Sequence, residues 1–222
     1  MTVETQNELT AQAAELHFAE NLPAEIAGFA TEKIFAADGD KFIFFTCTNK
    51  NHCALITYFH TETNEFKVRQ RIGLTEFCLT KFFTEDFAAF QKLIDAELED
   101  VLKNLRDVRE KKFYRFVSEK KIDTWNFELP ATLEGFELYI SPAAPVEVTN
   151  GSFIVINYAD FATGSDFILY YNIYGDIFSA ESRIKGAAHI SYAFESKTLE
   201  ELDANLKENL ADELREIRRL SQ

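Results

Sequence analysis

Three cysteines and two histidines crowd into one short span: Cys47, His52, Cys53, His60 and Cys78. Thiolate and imidazole are ligands a transition metal accepts, and a hairpin could carry Cys47 close to Cys53. The spacing matches no zinc-ligand pattern. Cys47 and Cys78 lie in apolar alternating stretches, where a free cysteine behaves as a small hydrophobe. His52 and Cys53 flank a turn. No metal and no cofactor is therefore expected. Nucleophilic catalysis has no better footing, because the chain lacks a Gly-x-Ser-x-Gly elbow, a His-Glu-x-x-His helix and a P-loop. His17, His52, His60 and His189 are scattered, with no carboxylate at a telling spacing. Glu97, Glu99 and Asp100, like Glu200, Glu201 and Asp203, fall between the apolar positions of helical patterns, where a solvated face accounts for them. No catalytic residue is assigned.

Residues suited to binding are better represented. Arg71 and Arg183 each precede an isoleucine at matched places in two similar stretches. A repeated arginine suits an internal ion pair, and its planar fork also suits a ligand carboxylate. Tyr158, Tyr170, Tyr171, Tyr174 and Tyr192 make the second half rich in tyrosine. Aromatic residues pack well in strands, and tyrosine, with an apolar body and a polar tip, also suits contact surfaces. Tyr158, Tyr170, Tyr171 and Tyr192 join the two arginines as candidate binding residues. Lys103, Arg106, Arg109, Lys111, Lys112, Arg115, Lys120 and Lys121 interleave with Phe113, Tyr114 and Phe116. Such a mixture could stack and neutralise a single nucleic-acid strand. Cations also gather at helix C-termini to offset the dipole, and Arg215, Arg218 and Arg219 repeat the habit.

The elements that must position these residues occur twice. Leu22-Pro23-Ala24-Glu25-Ile26-Ala27-Gly28-Phe29 aligns with Leu129-Pro130-Ala131-Thr132-Leu133-Glu134-Gly135-Phe136. Downstream, Phe42-Ile43-Phe44-Phe45 meets Phe153-Ile154-Val155-Ile156, and a constant offset then matches Tyr58 to Tyr170, Arg71 to Arg183, Phe82 to Phe194, Leu98 to Leu210 and Arg106 to Arg218. Pro23 and Gly28 predict a one-turn helix, as do Pro130 and Gly135. Short alternating runs punctuated by Asp38-Gly39-Asp40, Asn49-Lys50-Asn51 and Glu62-Thr63-Asn64 predict antiparallel hairpins. An apolar stripe from Phe87 to Val108 predicts a helix over Glu85 to Lys111 capped by Thr84. A second begins at Thr198, where Glu201 completes a capping box. A short amino-terminal helix is expected from Thr5 to Glu20. The fold class is α+β: a tandem duplication of an antiparallel meander of four to five strands followed by a long amphipathic helix. The repeats are placed at 1–112 and 113–222, expected as a closely packed pseudo-twofold pair.

The chain has 222 residues, with 37 acidic against 23 basic side chains and a formal charge of −14. Such a balance opposes nucleic-acid backbones and anionic membranes and favours solubility. The polar start Met1-Thr2-Val3-Glu4-Thr5 shows no secretory signal. No apolar run approaches membrane-spanning length, and a cytoplasmic location with reduced thiols is expected. These features point to a non-enzymatic binding or scaffold protein that meets a protein partner, or itself, through a sheet face or the groove between repeats. A small-ligand protein or enzyme with its site at that cleft is the alternative. The tandem order of meander and helix also resembles, in topology alone, the plant Whirly proteins. That resemblance implies single-stranded nucleic-acid binding, which the net charge opposes.

Overall fold

The two Leu-Pro octets fold alike, although not as one-turn helices. β1 (Glu25–Ile26) and β2 (Phe29–Asp38) form a hairpin with Ile26 opposite Phe29. β7 (Thr132–Leu133) and β8 (Phe136–Ile140) pair in the same register, Leu133 opposite Phe136. Each turn holds two successive residues of positive φ: Ala27 and Gly28 at 52° and 87°, Glu134 and Gly135 at 51° and 86°. Two left-handed residues make the tight turn whose twist suits flanking strands. That turn chemistry overrides the helix-starting preference of the preceding proline.

The structure, a computed structural model, describes residues 7, 9–11, 22–110, 112–149 and 151–222. Most of the expected amino-terminal helix lies outside them; within it Asn7 and Leu9 to Ala11 are helical, and Leu9 is buried. The chain divides into two compact units, Met1–Val108 and Arg109–Gln222. In the first, β1 and β2 are followed by β3 (Lys41–Thr48), β4 (Cys53–His60), β5 (Glu65–Ile72) and β6 (Thr75–Cys78), paired in simple sequential order. In the second, β9 (Val146–Glu147), β10 (Ser152–Asp160), β11 (Ser165–Asn172), β12 (Ile177–Ile184) and β13 (Ala187–Ser196) complete a sheet of order β13-β12-β11-β10-β8-β7, with β9 also on β10. The sheets therefore have six and seven strands. The excess over the sequence expectation is the two-residue strands β1, β7 and β9, too short to show alternation.

The repetition reaches fine detail. β4 and β11, β5 and β12, and the starts of the two long helices at Phe87 and Leu199 match at one offset. The β3–β4 ladder slips between Ile43 and Phe45, and the β10–β11 ladder between Ile154 and Ile156. Phe44 and Val155 thus occupy equivalent bulges, and both are fully buried. Such a bulge bends a strand and increases its twist, which lets a sheet curve over a helix.

Each long helix covers one sheet face. The first spans Phe87–Arg106, shorter than the stripe suggested, and buries Phe90, Ile94, Leu98, Val101, Leu102 and Leu105. Asp86, not Thr84, is its cap, accepting from the Ala89 N–H at 2.7 Å. Thr84 is instead bridged to Phe66 by the backbone, and a carboxylate caps better than a threonine. The rings of Phe44, Phe66 and Phe90 stack beneath this helix. The C-terminal helix, Leu199–Ser221, starts with the Thr198–Glu201 capping box and buries Leu202, Leu206, Leu210, Leu214 and Ile217. Each buried leucine contributes about 1.5–3 kcal/mol of apolar transfer. Both helices return to the opening hairpin of their unit. A Cβ on Gly28 would lie 3.6 Å from Arg106 Cδ, and one on Gly135 would collide with Arg218 Nη1. Among the described residues no helix is long and apolar enough to cross a membrane.

Candidate binding sites

Arg183 projects from β12 on the sheet face away from the helix, opposite Asp166 of β11. Its Nε and Nη2 donate to the two carboxylate oxygens of Asp166 at 2.9 and 2.6 Å. Asn157 of β10 donates to Asp166 at 3.1 Å and to the Phe167 carbonyl at 3.0 Å. Asp166 is fully buried, and Arg183 is 12% exposed. Burial pushes the Asp166 carboxyl above its ordinary value, against the pull of Arg183 and Asn157. Burial also opposes the charge on Arg183, and the carboxylate outweighs it, so that pKa rises. The geometry spends this arginine on an internal pair. Arg71 holds the same place in β5, but its neighbour on β4 is Ala54. Glu76, across from it on β6, pairs with Arg69 at 3.0 Å. Among the described residues Arg71 is half-buried and forms no ion pair.

The candidate tyrosines do not form one patch. Tyr158 faces the helix, is fully buried, and donates to the Pro130 carbonyl at 2.8 Å. Tyr171 is buried on the same face, donates to Asp176 at 2.6 Å and stacks on Phe116. Tyr170 is half-buried on the opposite face, where Ile154, Asn157, Asp166 and Ile168 are at most 1% exposed. That face is therefore not open at its centre. Tyr174 in the β11–β12 turn and Tyr192 on β13 are 80% and 72% exposed.

In the first unit the cysteines differ in burial. Cys47 and Cys53 are buried, and Cys78 is half-buried with its Sγ 3.2 Å from the Tyr58 hydroxyl. Burial pushes the Cys47 thiol up to about 12, so it stays protonated and inert. Among the described residues, the grouping close enough to hold a metal is Asp40, His60 and Glu62. His60 Nε2 lies 2.9 Å from Asp40, and its Nδ1 accepts from the Thr63 N–H at 3.3 Å. Both ring nitrogens are thus already partnered. His60 has acidic neighbours that linear spacing does not reveal. The signal that finds them is the Asp38-Gly39-Asp40 turn, which sets Lys41 across from His60.

The basic stretch resolves into pairs and core. Arg115 bonds Glu119 at 2.6 Å, and Lys120 reaches Asp176 at 2.5 Å. Phe116 is buried against Phe153 and Tyr171, with Tyr114 packed beside it. Phe113, 87% exposed, stands out. Beside it the connecting segment folds as a short helix (Arg115–Glu119), a 3-10 turn (Ile122–Thr124) and an extended run that lies along β8. Together with the loop after β8 it encloses a groove with lobes of about 270 and 410 Å³. Val117, Ile122, Trp125, Phe127, Leu138 and Pro142 give apolar wall in a mixed lining to which Ser118 and Ser141 add hydroxyls, with Lys112 and Asp123 shared by both lobes. Trp125 is fixed there by its Nε1–H, which donates to Asp203 at 3.2 Å, and by Phe127. The equivalent stretch of the first unit, where Phe18 aligns with Trp125, lies outside the described residues. The chain matches no family model, and neither a curated protein nor a solved structure is significantly similar to it.

Proposed function

We propose that this is a non-enzymatic binding or scaffold protein, and that the Trp125 groove receives an apolar segment of a protein partner. The observation that carries this reading is the character of the groove. Binding sites combine apolar walls with a few placed polar groups, and here Trp125 and Phe127 supply apolar wall while Lys112 and Asp123 supply one charge of each sign to orient the guest. The groups elsewhere that could do chemistry are tied up: Arg183 by Asp166, and His60 by Asp40 and Thr63. The free thiols of Cys47, Cys53 and Cys78 accord with a cytoplasmic location.

Trp125 is the only tryptophan in the chain, so its fluorescence reports on the groove. Titration with anilinonaphthalene sulfonate, an apolar anion, is expected to give saturable energy transfer from Trp125. Ala143→Arg, at an exposed lining position, should weaken that binding about tenfold or more. A photo-crosslinking residue at position 113 should capture a discrete partner protein, and the same arginine should abolish the adduct. Probe binding that ignores Ala143→Arg, together with no adduct, would remove the groove as the contact site.

A further inference from the structure

Among the described residues β13 is bonded to β12 on one side only and forms the free edge of the second sheet. Free edges are templates for further strands, and proteins usually blunt them with lysine, proline or inward charge. From Ala187 to Phe194 this strand has none of these devices and no formal charge, in a chain whose net charge is −14.

Its geometry shows which groups are on offer. Lys185 and Gly186, with φ of 51° and 84°, form a two-residue hairpin turn that makes Ile184 and Ala187 a hydrogen-bonded pair. Bonded and non-bonded pairs alternate along an antiparallel ladder. The pairs Arg183–Ala188 and Glu181–Ile190 are thus non-bonded, and the main-chain N–H and C=O of Ala188 and Ile190 point away from β12. Ser191 bonds Glu213 of the C-terminal helix, so Ala188, Ile190 and Tyr192 project on the other face. Ile190 and Tyr192 are 66% and 72% exposed. Past Ser191 the register to β12 slips, and Phe194 turns into the core.

We propose that a second copy of this chain adds its own β13 here, antiparallel, with the twofold axis at Ile190. The edge is self-complementary in that register. Ile190 meets Ile190 of the second copy, and Ala188 meets Tyr192, small against large. The strand carries Lys185 at one end and Glu195 at the other, so a twofold sets opposite charges together at both ends. The neutral strand is also where two acidic molecules approach with least repulsion, and added salt screens the remainder. The proposal is independent of the Trp125 groove.

The full chain is tested by sedimentation equilibrium. Dimerisation should strengthen from low to physiological salt, and Ile190→Lys, which sets two cations on the axis, should weaken it about a hundredfold. Position 190 is exposed, so circular dichroism should show the variant folded. In a Cys78→Ser background, Ile190→Cys should form a disulfide-linked dimer under mild oxidation, because bonded antiparallel partners lie about 5.5 Å apart at Cα. Ile173→Cys, exposed away from β13, should not. A monomer at all concentrations with no Ile190→Cys cross-link overturns the proposal. So does a dimer that Ile190→Lys leaves intact, which would place the interface elsewhere. A monomer that instead captures extended peptides on β13 overturns it in favour of a heterologous partner.

Discussion

The first and second units place an arginine at the same point of the same strand, yet among the described residues only Arg183 of the two is in an ion pair. Arg183 is clamped by Asp166, and Arg71 faces Ala54. Around both, the backbone devices are shared: the left-handed hairpin turn, the bulge at Phe44 or Val155, and the arginine of the last helical turn against the hairpin glycine. What fixes chain geometry is thus common to the two units. Polar chemistry on the face away from the helix has diverged, giving a buried Asn157–Asp166–Arg183 network in one unit and the Tyr58–Cys78 and Asp40–His60 contacts in the other.

The sharpest way to break this comparison is to make the second unit like the first. Asp166→Ala recreates the alanine that Arg71 faces and removes the two-oxygen clamp from Arg183, leaving Glu181, 3.9 Å from its Nε, as an acidic neighbour. Removing one member of a buried ion pair typically costs about 3–5 kcal/mol. Arg71→Ala, with no pair to lose, should cost less than about 1 kcal/mol. Urea unfolding of both variants measures the difference. Asp166→Ala combined with Arg183→Leu should recover most of the loss, since an apolar pair has no unpaired charge to bury. If Asp166→Ala proves as mild as Arg71→Ala, the network does not distinguish the units.

The hairpin glycines sharpen the shared part. Alanine at Gly28 or Gly135 must adopt a left-handed conformation, at about 1–2 kcal/mol. At Gly135 the new Cβ would also collide with Arg218 Nη1 and disturb its 2.9 Å bond to the Glu134 carbonyl. At Gly28 the nearest atom, Arg106 Cδ, is in ordinary contact distance. Gly135→Ala is expected to exceed Gly28→Ala by about 1 kcal/mol, the worth of one hydrogen bond. Equal losses in thermal unfolding would mean that Arg218 shifts aside freely.

How much of this is legible in the sequence follows from range. Helix stripes such as Leu202-Leu206-Leu210-Leu214 and the Thr198–Glu201 box are local, and they appear where the residues place them. Strand repeats show because apolar identity survives at Phe42 and Phe153, or Tyr58 and Tyr170. The Leu-Pro octets mislead because proline and glycine serve both a helix start and a tight hairpin, and only the pairing of Ile26 with Phe29 decides between them. Arg71 and Arg183 can be singled out as a repeated position. Their different surroundings depend on which residue the next strand sets opposite, a matter of register. The tyrosines read as a group, yet alternation sends Tyr158 and Tyr171 to one face and Tyr170 to the other. The Trp125 groove arises between the connecting segment and the loop after β8, and no linear pattern announces it.

Cys47 and Tyr158 occupy matched inward positions, opposite Leu55 and Phe167. Burial pushes each up to about 12, from ordinary values of 9.0 and 10.0. The folded protein holds these protons while the unfolded chain releases them. The stability they contribute is thus present below the unfolded values and is lost as pH rises towards 12. Urea midpoints should fall from about pH 9 upward. Tyr158→Phe should cost about 0.5–1.5 kcal/mol at neutral pH through its lost bond to Pro130, and it should show a shallower alkaline decline. An unchanged slope would assign the decline to other groups.

The smallest expected effect needs no change in stability. Cys78 is the half-buried thiol of the three, whereas Cys47 and Cys53 are at most 2% exposed. A thiol reacts as thiolate and only where a reagent can reach it. Native protein at pH 8 should therefore take up alkylating reagent at Cys78, slowly because its Sγ is engaged with the Tyr58 hydroxyl. Tyr58→Phe should speed that labelling without moving the thermal midpoint by more than a few degrees. Peptide mapping after urea should then show Cys47 and Cys53 labelled as well. Native labelling of Cys53 at a rate near that of Cys78 would mean that the β3–β4 turn opens readily, and the first unit would then be the looser of the two at the place where its sequence most resembles a metal site.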